Sequence, residues 1–207
     1  MALLDLAAFR AAPLVTEPFK HIVLSNFLLA ESVQAVAQSF PVIDVPGLLP
    51  VEATRRGPLF DALVAELTGP EMTRTVAEKF GLDLEGHPTM VTVRGRCQER
   101  DGRIHTDSVT KRITLLLYFN ENWEGEGGRL RLLRSQTDME DVIAEVPPAL
   151  GTLVMFQRSY NSYHGHESFV GPRRAVMVNW MVNSFAAHRE LMRHRISARA
   201  KRILRYA

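Results

Sequence analysis

The chain has 207 residues, 46% hydrophobic and 23% charged, which is room for one domain with a real core and an ordinary composition for a soluble globular protein. A formal net charge of +2 is too small to imply a polyanionic partner for the whole molecule, and no run approaches the roughly 18 apolar residues of a membrane span. Cys97 is the only cysteine, so an intrachain disulfide is excluded and the composition suits a reducing cytoplasm.

Met1 to Arg10 is apolar but carries Asp5 and lacks both a basic n-region and a small-residue cleavage site. It reads as a short helix rather than a signal peptide. Pro18 to Leu24 reads as a strand, limited by its proline to an edge or a first position. Glu31 to Phe40 has helical spacing, with Val33, Val36, Ala37 and Phe40 on one face, and stops before Pro41. Residues 41–57, with Pro41, Pro46, Gly47, Pro50 and Gly57, form the longest irregular stretch; such a loop either covers a site or is a plain surface connection. Pro58–Leu67 and Pro70–Phe80 read as two helices, each opened by a proline suited to the first turn and closed at Gly69 and Gly81.

From Thr89 the period changes to two. Strands are predicted over Met90–Arg96, Arg112–Asn120, Arg129–Leu133, Thr152–Phe156 and Arg174–Val182, and a helix from about Ala186 to Arg205. Helices first and strands second favour an α+β domain, an antiparallel sandwich or barrel buttressed by the early helices; a parallel βαβ fold would need alternation. In 112–120, Ile113, Leu115 and Leu117 share an apolar face that should pack on helices. Arg112, Thr114, Leu116 and Tyr118 share a mixed face that lines a polar interior or meets water.

His105-Thr106-Asp107 places an imidazole and a carboxylate one residue apart, on the same face if the segment is extended. The triplet alone is common. His164, 57 positions after Asp107 and beyond the strand Thr152–Phe156, supplies a third donor. Together they make a 2-His-1-carboxylate facial triad, which leaves three cis positions of an octahedral iron(II) open for a cosubstrate and dioxygen. A cosubstrate with a terminal carboxylate would need a buried cation. Arg174, ten residues after His164, offers bidentate geometry for it. That offset and the parity shared with Val176, Val178 and Trp180 favour Arg174 over Arg173, because a strand turns only one of two neighbours inward. The spacing likewise favours His164 over His166, leaving His166 in the pocket beside the ligands or exposed.

The order of these motifs resembles the iron(II)- and 2-oxoglutarate-dependent oxygenases, in particular their prolyl-hydroxylase-like branch, over roughly residues 89–182. His105-Thr106-Asp107 resembles the family's HxD. Leu117-Tyr118-Phe119-Asn120-Glu121-Asn122-Trp123 resembles its YLNxxW segment, which puts the tyrosine's hydrogen bond to the 2-oxoglutarate carboxylate on Tyr118. Gly127-Gly128-Arg129-Leu130-Arg131 resembles its GGxLR turn and strand, and Gly151 to Phe156 the strand before the distal histidine. His164 with Arg174 resembles the closing H-x9-R. The resemblance implies a double-stranded β-helix, a cupin-like jelly roll with helices on its major sheet. It also implies Fe(II) held by His105, Asp107 and His164, 2-oxoglutarate as cosubstrate on Arg174 and Tyr118, O2, and release of succinate and CO2. Asp107 argues for hydroxylation over halogenation, since related halogenases carry a small residue there. The expected organisation is one oxygenase domain: residues 1–88 as N-terminal strand and supporting helices, 89–182 as the jelly-roll core and 183–207 as the C-terminal helix.

Arg94, Arg96 and His166 are the remaining candidates for substrate contact; the two arginines read equally as a coat on the sheet. Lys111 reads as solvated, Trp123 and Trp180 as core, and His21, His87 and His188 as surface. The last helix carries Arg189, Arg193, Arg195, Arg199, Lys201, Arg202 and Arg205 against the single acid Glu190. It reads as a solvated helix packing its few apolar residues on the barrel or on a second copy in a homodimer, with nucleic acid as the lesser option. Three substrate classes compete: a small molecule or free amino acid, which the compact chain suits; a prolyl or other protein residue; and a nucleic acid base. The rival of a different kind is a non-catalytic jelly roll that binds metal. Tyr118 and Arg174 beside the triad speak against it, because a mere binder needs no carboxylate clamp.

Overall fold

A computed structural model describes residues 2–121, 123–125 and 127–205, with side chains to residue 196. Asn122 of the tyrosine motif and the side chains of Arg199, Lys201, Arg202 and Arg205 therefore lie outside the described residues.

The early helices form where capping and periodicity place them. Helix α1 (Leu6–Ala11) is capped by Asp5, whose carboxylate accepts from the Ala8 amide at 2.8 Å. α2 is Val33–Gln38. α3 (Pro58–Thr68) and α4 (Pro70–Phe80) both start on proline, and α4 ends at Gly81 in the left-handed region. Their apolar faces bury Val36, Phe60, Leu63, Leu67, Met72, Val76 and Phe80.

Among the described residues nine strands follow or interleave: β1 (His21–Leu24), β2 (Leu49–Pro50), β3 (Thr89–Cys97), β4 (Lys111–Tyr118), β5 (Leu130–Leu133), β6 (Val142–Val146), β7 (Leu153–Gln157), β8 (Tyr163–Gly165) and β9 (Gly171–Met181). A six-stranded sheet runs β1-β7-β4-β9-β3-β2 and a three-stranded sheet runs β6-β5-β8, with antiparallel pairing throughout. β1 lies at an edge, and it starts at His21, three residues after Pro18. This is the double-stranded β-helix of a jelly roll.

Each strand of the major sheet has two distinct faces. Val91, Val93, Ile113, Leu115, Leu117, Val176, Val178 and Trp180 point to the helices and make the larger core. Leu116, Tyr118, Val154, Phe156 and Ala175 point the other way and meet Leu130, Leu132 and Val146 of the minor sheet. Shortening a fully buried leucine on the helix face, such as Leu115, costs about 2–5 kcal/mol by lost contacts and the cavity left behind. The last helix, α5 (Ser184–Arg205), docks by a separate small cluster, Ala186 and Ala187 against Met90 and Met181. None of the described helices is long and apolar enough to cross a membrane.

Candidate metal centre and cosubstrate pocket

The loop between β3 and β4 crosses to the minor sheet and bonds to it. His105 N–H donates to the His164 carbonyl at 3.0 Å, and His164 N–H returns the bond to the His105 carbonyl at 2.9 Å. Residues directly opposite in an antiparallel bridge project to the same side, so the two rings stand with centroids 4.3 Å apart. Gly102 permits the approach. It has φ +98°, and a Cβ there would lie 2.2 Å from the His166 carbonyl oxygen.

The ring nitrogens are oriented from behind. Nδ1–H of His105 donates to the Arg103 carbonyl (2.8 Å), and Nδ1–H of His164 to the Ser162 carbonyl (3.0 Å). A carbonyl only accepts, so the proton sits on Nδ1 and the lone pair on Nε2. Asp107 completes the group: one donor atom from each of His105, Asp107 and His164 lies within 4.8 Å of the others. Two imidazole nitrogens and a carboxylate oxygen at that spacing fit an iron(II) ion.

The Asp107 carboxylate is braced on both oxygens. Lys111 Nζ donates to Oδ1 at 2.7 Å, and the Thr114 hydroxyl donates to Oδ2. Thr114 accepts in turn from Asn179 Nδ2 at 2.8 Å. Burial works to raise the Asp107 carboxyl. The charges of Lys111 and His164 and the two hydrogen bonds outweigh it and hold the group at about 2. Burial pushes the His164 imidazole down to about 4, against the pull of Asp107, so it is neutral and ready to ligate at pH 7. Lys111, expected to be solvated, is thus a buried ion-pair partner of a candidate ligand, its side chain only 12% exposed. His21, expected at the surface, is buried, its Nδ1–H on the Phe19 carbonyl.

These groups open into a cavity of about 270 Å³ between the two sheets, also lined by Tyr118, Arg173 and His166. Here the structure corrects the choice between neighbouring arginines. Arg174 is exposed and points into a separate outer groove with Asn120, Trp123, Phe169 and Pro172. Arg173 is the inward residue, 5% exposed, its guanidinium carbon 5.2 Å from the Tyr118 ring centroid and its Nη2 3.3 Å from the Tyr118 hydroxyl. The reason is the packing of β9. Val176, Val178 and Trp180 face the helices, so the parity that selected Arg174 is the parity of the apolar face. Tyr118 pairs with Ala175, which puts odd-numbered residues of β9 on the pocket side. That apolar run, taken together with the mixed face of Tyr118, was the signal that could have found Arg173.

Arg173 also donates from Nε to the Gly128 carbonyl at 2.7 Å, yet among the described residues it pairs with no carboxylate. A buried guanidinium beside a phenol is a site for an anionic ligand. Burial raises the Tyr118 phenol, with Arg173 opposing, so it remains a hydrogen-bond donor.

The weaker candidates divide. Arg94 lines the cavity but is tied to Asp101 at 2.7 Å. Arg96 is exposed and outside the cavity, because a bulge between Arg94 and Arg96 breaks the alternation. His166 lines the cavity, with Nδ1–H on the Glu167 carbonyl at 2.8 Å, but is not among the converging donors. Its imidazole is pushed to about 4, first by burial and then by Arg173 and Arg94. The loop 41–57 sends Leu48 into the cavity wall, and α5 sends Glu190, Arg193 and His194; none of these four was singled out from sequence as a site residue.

Residues 95–182 match the family model of the 2OG-Fe(II) oxygenase superfamily. Solved structures that share the fold include the following three. A Pseudomonas putida prolyl-4-hydroxylase has a TM-score of 0.56 at 18% identity over 79% of this chain and 93% of that one. A viral collagen prolyl hydroxylase from Paramecium bursaria Chlorella virus-1, solved as a 2OG complex, has 0.52 at 14% identity over 77% and 93%. A Burkholderia pseudomallei oxidoreductase of the 2OG-Fe(II) oxygenase family has 0.55 at 12% identity over 87% and 96%. No curated protein sequence matches the chain.

Proposed function

We propose that this chain, whose residues 95–182 match the family model of the 2OG-Fe(II) oxygenase superfamily, is a single-domain oxygenase that hydroxylates a C–H bond of a small molecule or free amino acid. The observation that carries the reading is the buried Arg173, without a carboxylate partner among the described residues, in the same cavity as the His105–Asp107–His164 donors. Nε2 of each histidine and the Asp107 carboxylate would hold the iron. Arg173 and the Tyr118 hydroxyl would take the distal carboxylate of 2-oxoglutarate.

When bound, iron(II) with 2-oxoglutarate and O2 supplies the oxidising power, with succinate and CO2 released as the substrate gains a hydroxyl group. The chain's own task is placement. The Arg103 and Ser162 carbonyls fix the imidazole tautomers. Lys111 and Thr114 keep Asp107 ionised and aimed. Leu116, Leu130 and Ala175 give the cavity its apolar wall.

Substrate size follows from the enclosure. The cavity lies at or below the small end of ligand pockets, roughly 300–1,000 Å³, and Glu190, Arg193 and His194 of α5 stand in its wall. That favours a compact substrate. A prolyl residue in a peptide is the second reading, supported by the prolyl hydroxylases among the structural neighbours. The single buried thiol, Cys97, suits a reducing compartment such as the cytoplasm.

The test is anaerobic addition of iron(II) and 2-oxoglutarate. An absorbance at about 500 nm is expected for iron chelated by a 2-oxo acid in an open facial triad; its absence from folded protein overturns the reading. Succinate release above the uncoupled background, stimulated by free amino acids but not by proline-containing peptides, supports the small-substrate form. The reverse pattern favours the peptide.

A further inference from the structure

Among the described residues, the charges that line the cavity are paired to unequal degrees. Arg94 and Lys111 are each paired with an acid at 2.7 Å. Arg173 is the cation left over, and the proposed function gives it the cosubstrate. The acid held most loosely is Glu190, whose ion pair with Arg193 spans 3.4 Å. It comes from α5, not from the jelly roll, and it is only 6% exposed.

Its position follows from the packing of α5. Ala186 and Ala187 are clamped against Met90 and Met181. Glu190 lies three and four residues further on, so it shares their inward face one turn along the helix. The next residues on that face, Arg193 and His194, also line the cavity. The helix offers Glu190 a poor counter-ion. Arg193 Nη1 stands 3.4 Å from each carboxylate oxygen, beyond a good charge-assisted bond, on a side chain that is 73% exposed. A carboxylate taken out of water and held this loosely is poised for a stronger cationic partner.

We propose that Glu190 is the specificity-determining group of the substrate pocket and receives a basic nitrogen of the substrate, so that the preferred substrates are small amine-bearing molecules such as free amino acids. This rests on the oxygenase reading and adds the charge of the substrate to it. Glu190 acts by binding and orienting; it needs no proton transfer.

The experiment uses the full chain with iron(II) and 2-oxoglutarate under anaerobic conditions. The perturbation of the charge-transfer band is titrated with free L-amino acids and with their N-acetyl derivatives. At least one free amino acid is expected to perturb the band, with the acetylated partner about tenfold weaker or more, since acetylation removes the charge that strengthens the hydrogen bond. Glu190→Gln is expected to lose a similar factor for the free amino acid and to level the two series, and Glu190→Asp to restore part of it. Equal binding of free and acetylated forms overturns the proposal, as does full affinity in Glu190→Gln or a band that no free amino acid perturbs. The wild-type comparison stands even where a variant does not fold. A missing band in wild type means that the oxygenase reading has failed; a normal band without amine dependence means that only the role of Glu190 has.

Discussion

Arg173 lies over the ring of Tyr118, its guanidinium carbon 5.2 Å from the centroid, with Nη2 also 3.3 Å from the hydroxyl of the same residue. The two side chains are 5% and 0% exposed. A cation stacked on an aromatic face and bonded at its edge is held in one orientation, so the remaining guanidinium donors have a defined direction for a carboxylate.

Arg173→Ala should raise the KM for 2-oxoglutarate by about a hundredfold, as loss of one partner of a buried charge-assisted contact costs about 2–5 kcal/mol. Arg174→Ala should stay within about twofold, because an exposed charge outside the cavity contributes little. Tyr118→Phe should fall between them, near the roughly 1–3 kcal/mol of one hydrogen bond to a charged group. Steady-state succinate release against cosubstrate concentration checks all three. Sensitivity to Arg174 with indifference to Arg173 would reverse the assignment.

Asp107→Ala and His164→Ala should each abolish stoichiometric iron(II) binding, while His166→Ala should retain it, since His166 is not one of the three converging donors. Metal content after anaerobic loading and desalting is the readout. Loss of iron in His166→Ala alone would make that histidine the third ligand.

Thr114→Val removes the hydroxyl that braces Asp107 Oδ2 and strands the amide of Asn179 behind it. Groups that orient a metal ligand typically contribute about 10–100-fold in affinity. A competitive chelator titration should show a weakening of that order, and the stranded Asn179 amide should lower the melting temperature, at a cost of about 1–3 kcal/mol. An unchanged iron affinity would mean that Lys111 alone is enough to hold the carboxylate.

The metal-free protein should lose stability in mild acid. His164 and His166 sit at about 4 in the folded protein against an ordinary 6.5. As the pH falls through 6.5 the unfolded chain binds protons first, so stability is full above that value and declines down to about 4, with a slope approaching two protons. Asp107 acts lower: its contribution is complete above 3.8 and lost as the pH falls through about 2. Thermal melts of metal-free protein from pH 7 to pH 4 should trace the histidine decline. A constant midpoint between 6.5 and 4.5 would contradict the burial of neutral imidazoles.

Much of this was legible in local pattern. Proline and glycine placement marked α3 and α4, period-two alternation marked the main strands, and the apolar face of Ile113, Leu115 and Leu117 does pack on helices. β6 and β8 escaped notice: β6 is partly exposed along most of its length and β8 has three residues, so neither carries a clear alternating signal. His105, Asp107 and His164 were readable because ligand chemistry restricts residue type and the motif order is linear.

What sequence alone determined was therefore most of the element types, set by short-range spacing, and the class of chemistry, set by the order of the motifs; it also picked out His105, Asp107 and His164, whose donor atoms the fold brings together. Tertiary structure decided which of two adjacent arginines turns inward, because strand parity has no sign until the helices choose a face. It also turned Lys111 from a solvated residue into the counter-ion of Asp107. The docking of Ala186 and Ala187 on Met90, from the far end of β3, and on Met181 carries Glu190 to the cavity, and no local pattern encodes the contact with Met90.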